Sequence, residues 1–320
     1  MHRPTISVLL TYHNEGSLLT ATLDSLRAGD DQPDEVLVYD DASDLRPEAF
    51  IPVASNARVI RGDRNIGPGA GRNILLKEAA SDYIHFHDSD DWFNPDWCAV
   101  VRAKLARNPV DVLFTEVTSS SACTPEFKDP FMGFDRFDRS TDLVAYAIQH
   151  ALLVPSGTIK RESALHIGGF RKGLWQSEDK DFYIRLAASG VSWEVEIRPL
   201  ICIRHRPNSR GKGKHVVEVW QDGLKCLEFA RDELPSRYHH DIANAAARLA
   251  TQLFLIDQKA SARRALRLVK KSGGADYSWR NPKFRRLLRL LGAESAEWVS
   301  SKWLRIRRMF EPTVALVKRV

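Results

Sequence analysis

Tyr83-Ile84-His85-Phe86-His87-Asp88-Ser89-Asp90-Asp91-Trp92 is the stretch that decides the reading of this chain. Its first half is apolar and β-prone, the pattern of a short strand buried on both faces. Its second half sets three carboxylates within four residues at the strand's carboxyl end. Like charges this close repel one another, and the arrangement becomes favourable when a divalent cation shares their oxygens. Hard oxygen donors select Mg²⁺ or Mn²⁺. The ordinary alternative is helix capping, with Asp91 or Asn94 closing the start of a helix that opens near Pro95.

On both sides of this stretch, β-rich runs alternate with helical patterns. Residues 5–12, 35–40, 59–61, 83–87, 111–116 and 152–160 read as strands. Leu19, Thr22, Leu23 and Leu26 share one helical face, and further helices are expected over 69–80 and 95–108. The alternation predicts an α/β fold with a mainly parallel, Rossmann-like sheet covered by helices on both faces. Ligands of such sheets bind beyond the carboxyl ends of the strands, so the polar residues after each strand are where chemistry is sought.

Four more groups meet that condition. Asp40 and Asp41, followed by Ser43 and Asp44, offer carboxylates to a nucleobase or ribose, or else form an Asx-turn. Residues 62–73 are a glycine-containing loop with Arg64 and Arg72 that opens a helix. Its Gly67, Gly69 and Gly71 follow the third strand and lack the spacing of a dinucleotide fingerprint. Ser177, Glu178 and Asp179 begin a helix, where acids suit the dipole and where one carboxylate can also take a proton from an attacking hydroxyl. Arg204, His205 and Arg206 end a strand and lead into a basic run suited to phosphate. Residues 118–140, rich in Ser, Thr, Pro, Gly and Phe, predict a long loop over the sheet with the character of a lid.

Taken in order, these groups make residues 5–206 resemble glycosyltransferase family 2, the inverting enzymes of the GT-A fold. The resemblance runs from residues 7–10 with Asn14 and Glu15, through Asp40 and Asp41, to Asn65, Gly67, Gly71, Arg72 and Asn73. It continues through Asp88 to Asp91 with Pro95, and Gly168, Gly169, Phe170 with Glu178 and Asp179, ending near His205. It implies that Asp41 reads the nucleobase, usually uracil, and that Asn14, Glu15 and Arg72 lie among the nucleotide contacts. Asp88 and Asp90 match the Asp-X-Asp motif, with Asp91 beside it, and Asp90 and Asp91 are the first choices to approach the metal and diphosphate. Asp179, second of the Glu178-Asp179 pair, resembles the catalytic base, and His205 is similar to a histidine that some members use at the metal or the diphosphate. The implied reaction moves one sugar from a nucleotide-diphosphate sugar to a hydroxyl of a glycan or lipid-linked acceptor, assisted by Mn²⁺ or Mg²⁺. Thr11 stands where the family often has Pro. The Gln-X-X-Arg-Trp signature of processive synthases is missing, which favours one transfer per binding event. A nucleotidyltransferase is the nearest rival, but it needs a glycine-rich basic loop directly after the first strand, and residues 11–16 do not supply one. An inactive sugar-nucleotide scaffold is disfavoured because all the implied carboxylates are present.

The chain's 320 residues carry a formal charge of +6 that hides a division. Residues 1–203 hold 21 Lys and Arg against 30 Asp and Glu, and residues 204–320 hold 26 against 11, net charges of −9 and +15. This predicts a catalytic domain over 1–203 and a basic helical region over 204–320. In the latter, Phe284, Leu287, Leu288 and Leu291 form one stripe. Val299, Trp303, Ile306 and Phe310 form another, flanked by Lys302, Arg305, Arg307 and Arg308. Such a stripe suits docking on the chain itself, a second copy in a homo-oligomer, or peripheral contact with an anionic membrane. No nucleic-acid motif accompanies the charge. With no membrane span or signal segment, a cytoplasmic protein is expected. Cys98, Cys123, Cys202 and Cys226 are far apart and read as reduced core residues.

Overall fold

The computed structural model describes residues 3–138, 140–206 and 215–310, the last six by backbone alone. The chain forms two compact units, divided between residues 212 and 213. The first is built on an eight-stranded sheet in the order β3-β2-β1-β4-β7-β6-β8-β5. Strands β1 (Ile6–Tyr12), β2 (Glu35–Asp40), β3 (Arg58–Arg61) and β4 (Tyr83–Asp88) run parallel. Strand β7 (Gly157–Lys160) pairs antiparallel with both β4 and β6 (Val112–Ser120); β8 (Trp193–Arg204) is parallel to β6, and the short β5 (Trp92–Phe93) lies antiparallel to β8. Ile6, Val8, Leu9 and Leu10 are fully buried, as a continuous apolar run requires. The parallel register sets Thr11 opposite Asp88 and Tyr12 opposite Asp40, which brings two acidic strand ends to one edge.

Helix α1 (Ser17–Arg27) buries the expected face, Leu19, Thr22, Leu23 and Leu26. The Thr22 hydroxyl donates to the carbonyl of Asp91 at 2.7 Å, so this core face also braces the acidic loop. Helix α2 (Pro68–Glu78) starts with Pro68 in its first turn after Gly67, whose φ of 82° suits glycine. Gly71 passes so close to Tyr39 that a Cβ there would meet Cδ1 at 2.6 Å. The remaining helices of this unit are α3 (Trp97–Arg107), α4 (Leu143–Gln149), α5 (Arg161–His166) and α6 (Glu178–Ala188).

Several expectations are corrected. The strand expected over 152–160 begins only at Gly157, and Val154–Ser156 is a 3₁₀ turn, because Pro155 has no N–H for a ladder. Thr118, Ser119 and Ser120 belong to β6, paired with Cys202, Ile203 and Arg204, and not to the following loop. That loop is pinned to the sheet: the Glu116 carboxylate accepts the N–H groups of Met132 and Phe134 at 3.1 and 2.6 Å, and Phe134 is fully buried. Asp91 does not cap α3, since its carboxylate turns to β8; Asp96 occupies the cap position and Asn94 accepts the N–H of Asp96. Cys98, Cys202 and Cys226 are buried, whereas Cys123 is exposed where the chain leaves β6.

The second unit consists of α7 (Val216–Glu233), α8 (His239–Leu255), α9 (Lys259–Lys271) and α10 (Pro282–Phe310). Alanine-rich α8 is buried on most of its surface. Gly292, at φ 73° and ψ 170°, breaks α10 and separates the two expected stripes. Glu297, fully buried on α10, accepts the Thr251 hydroxyl of α8 at 2.8 Å and pairs with Arg280 at 3.2 Å. Docking of the stripes on the chain holds for Phe284 but fails for Leu291 and Trp303, which are exposed. The side chains of Ile306, Phe310, Arg305, Arg307 and Arg308 lie outside the described residues. Among the described residues no helix is long and apolar enough to cross a membrane.

Gly71→Ala is expected to destabilise the chain by about 1–3 kcal/mol through overpacking against Tyr39. Urea unfolding checks it, and an unchanged midpoint would show that the ring yields without strain.

Candidate active site

The carboxyl end of β4 delivers Asp88, Asp90 and Asp91 to one place, with ligand oxygens all within 4.8 Å of one another. Asp91 is buried, and burial together with the charges of Asp90 and Asp88 pushes its carboxyl well above the ordinary range. An all-oxygen set whose mutual repulsion is relieved by positive charge fits a divalent cation. Basic groups from the end of β8 already lean on it. The Arg204 N–H donates to the Asp91 carboxylate at 2.8 Å and its Nε to the Asp90 carbonyl at 2.9 Å, while Arg206 pairs with the Asp90 carboxylate. The Arg204 guanidinium lies 3.6 Å over the Trp92 ring. Beneath the cluster, His87 is buried and stacks on Phe93 at 3.9 Å. Burial drives it down to about 4 against the pull of Asp88, so it stays neutral.

A single guanidinium joins this cluster to α6. Arg72, only 2% exposed, donates to Asp88 at 2.7 Å and to Glu178 at 2.7 Å. Glu178 and Asp179 open α6, while Asp181, a turn deeper, is taken up by Arg171 and Arg185. Asp179 accepts the N–H of Lys180 at 2.7 Å. Burial and the neighbouring charge of Glu178 push its carboxyl up to about 7, partly offset by that hydrogen bond and by Arg72. The segment before α6 is latched by Asn73, whose carboxamide accepts the N–H of Phe170 and donates to its carbonyl, both at 2.7 Å. A Cβ on Gly169 would sit 2.2 Å from that carboxamide oxygen.

The third part lies beyond β1 and β2. Asp40 takes the Asx-turn, accepting the Ser43 N–H at 2.9 Å and pairing with Arg61. Asp41 instead turns to the glycine loop and accepts the N–H groups of Ile66 and Gly67 at 2.7 and 2.9 Å. Asn14, at φ 65°, accepts the Leu45 N–H at 2.9 Å, and Glu15 accepts the N–H of His13. Both therefore shape the loop around Asp41.

Of the residues expected from sequence, the structure gathers Asp88, Asp90 and Asp91, links them through Arg72 to Glu178 beside Asp179, and sets Asn14 and Glu15 around Asp41. His205 is exposed and donates its backbone N–H to the Ser120 carbonyl at 2.8 Å. Arg72, expected among the nucleotide contacts, is enclosed between the carboxylates of Asp88 and Glu178. Sequence alone did not single out His13, exposed beside the Asp41 carbonyl at 2.9 Å and near Asn65, and assigned no role to Trp175, which precedes the Glu178-Asp179 pair and lies half exposed against Gly67. An aromatic at a strand end and another four residues before Asp179 were the available signals.

The chain is similar to several known proteins. Residues 7–163 match the family described as glycosyl transferase family 2. An uncharacterized glycosyltransferase of Haemophilus influenzae is 26% identical over 181 residues, 57% of this chain and 61% of that one. A teichoic acid poly(glycerol phosphate) polymerase of Staphylococcus epidermidis is 28% identical over 129 residues, 39% of this chain and 18% of that one. The chain thus spans less than two thirds of either relative's length. Residues 1–349 of S. aureus TarS, solved in complex with UDP-GlcNAc, superpose with a TM-score of 0.66 at 19% identity, covering 98% of this chain and 95% of that one. At that identity the likeness is one of fold, the GT-A arrangement with a helical C-terminal region.

Arg72→Ala leaves Asp88 and Glu178 without their shared partner and is expected to lower stability by about 3–5 kcal/mol. A denaturation midpoint close to that of the parent chain would show that the bridge is dispensable.

Proposed function

We infer that this chain, whose residues 7–163 match glycosyl transferase family 2, moves one sugar from a nucleotide-diphosphate sugar to a hydroxyl of a glycan or lipid-linked acceptor, with inversion. The observation that carries the reading is the Arg72 bridge, which sets a cation-fitted carboxylate cluster next to a half-buried acid tuned to about 7. The UDP-GlcNAc bound by the TarS fragment supports a UDP-sugar as donor.

In this reading Asp41 and the loop it fixes receive the nucleobase, with His13 at its edge. Asp88, Asp90 and Asp91 would hold Mg²⁺ or Mn²⁺, which neutralises charge growing on the departing diphosphate. Arg204 and Arg206, paired with the same acids, stand ready to meet phosphate oxygens. The acceptor oxygen bonds to the anomeric carbon as the carbon–phosphate oxygen bond breaks, and Asp179 takes the hydroxyl proton from the face opposite the leaving group. Inversion follows from that opposition. Holding donor and acceptor in line contributes on the order of 7–11 kcal/mol, and proton removal by Asp179 adds roughly 10²- to 10⁴-fold.

Asp179→Asn is expected to bind UDP and its sugars like the parent while transferring about 10²- to 10⁴-fold more slowly; near-normal turnover would move the base elsewhere. Only the ionised carboxylate accepts a proton, so kcat/KM is expected to rise about tenfold per pH unit below about 7 and to level off above it. A profile flat from pH 5 to 9 would contradict that role.

A further inference from the structure

The basic charge of the second unit is concentrated next to its exposed apolar residues. Between Lys259 and Arg289, eleven Lys and Arg stand against one acid, Asp276. On α9, Arg263, Arg267 and Lys270 recur at helical spacing on the exposed side, opposite the buried Ala262, Ala265, Leu268 and Val269. Immediately after this stretch, Leu290 and Leu291 are 73% and 49% exposed at the Gly292 break, and Trp298 and Trp303 are 45% and 58% exposed beyond it. Four of the ten exposed large apolar side chains among the described residues therefore fall within fourteen positions of α10.

The exposure does not come from a loose helix. Ala296, Glu297 and Ser301 on the inner side of α10 are buried, and the Glu297 bonds to Thr251 and Arg280 fix which side faces out. Arg263 of α9 pairs with Glu294 at 2.7 Å, which holds the basic side of α9 beside the break. The Lys302 ammonium lies 5.8 Å from the Trp298 ring, a cation next to an aromatic on the outer side.

We propose that the outer side of α10, together with the basic side of α9, seats the chain on an anionic phospholipid surface. A partner for this face must accept cations and bury tryptophan and leucine at once. A soluble polyanion meets only the first demand. A bilayer with anionic headgroups meets both, with tryptophan at the headgroup boundary, leucine below it and Lys and Arg at the phosphates. The proposal rests on the second unit alone and stands whatever the first unit catalyses.

The test is sedimentation of the full chain with phosphatidylcholine vesicles, with and without phosphatidylglycerol, in the absence of donor and acceptor. Pelleting is expected only with the anionic vesicles. Arg286→Gln and Arg289→Gln should each reduce partitioning about fivefold, and Leu290→Ser/Leu291→Ser or Trp298→Ser/Trp303→Ser should reduce it further. Thermal unfolding confirms that the variants remain folded, and quenching of tryptophan fluorescence by brominated lipid, weakened in Trp298→Phe/Trp303→Phe, gives a second readout. Equal pelleting with neutral and anionic vesicles overturns the proposal. So does binding that needs the arginines but survives loss of the leucines and tryptophans, which would mark a soluble polyanion. A dimer dissolved by Trp298→Ser/Trp303→Ser would assign the face to a second copy instead.

Discussion

The first unit depends on where the positive charge of Arg72 ends up. A fully enclosed guanidinium is tolerable only when its donors meet acceptors of opposite charge, and here two carboxylates supply them at 2.7 Å each. One, Asp88, ends a central strand; the other, Glu178, begins a helix 106 residues further on than Arg72. Much of the local construction keeps this bridge in place. Gly71 lets α2 lie against Tyr39, Asn73 latches the backbone at Phe170, and Gly169 leaves room for that latch. The result is a fixed spacing between the cluster of three carboxylates and an acid whose carboxyl is pushed up to about 7.

Asp179 and Asp91 show how one type of side chain is set to different tasks by its surroundings. Asp91 is buried and Asp179 half-buried, and both have acidic neighbours, which raises the proton affinity of each. Asp91 has Asp90 and Asp88 beside it within reach of a shared ion, whereas Asp179 has Glu178, whose charge is largely spent on Arg72. Arg72 thus keeps the repulsion on Asp179 moderate. In the proposed reaction, one set of carboxylates exchanges protons for a cation, and the other gives and takes a proton during turnover.

Much of this was legible in the sequence, for identifiable reasons. The central strands are continuous apolar runs, and α1 announces its buried face at Leu19, Thr22, Leu23 and Leu26, so periodicity alone located them. The acidic cluster was legible because three carboxylates fall within four residues at the end of an apolar strand. The far side of the sheet was harder to read. Strand β8 alternates charged and apolar residues, β5 is two residues long, and the end of β6 is Thr118, Ser119 and Ser120, residues with a loop's composition. Their strand state comes from pairing across the chain, which local pattern does not report. The enclosure of Arg72 was hidden for the same reason, because an arginine in a glycine loop looks free to meet phosphate until its two partners are placed.

The long sequence separations in the site bear on how it comes into being. Asp91 is tied to Arg204 across 113 residues and Asn73 to Phe170 across 97. Contacts of this kind close only after the intervening chain has been ordered, and they slow folding accordingly. A nascent chain leaving the ribosome would carry Asp88, Asp90 and Asp91 for more than a hundred residues of synthesis before β8 arrived to brace them. The centre therefore matures at the end of the domain's assembly.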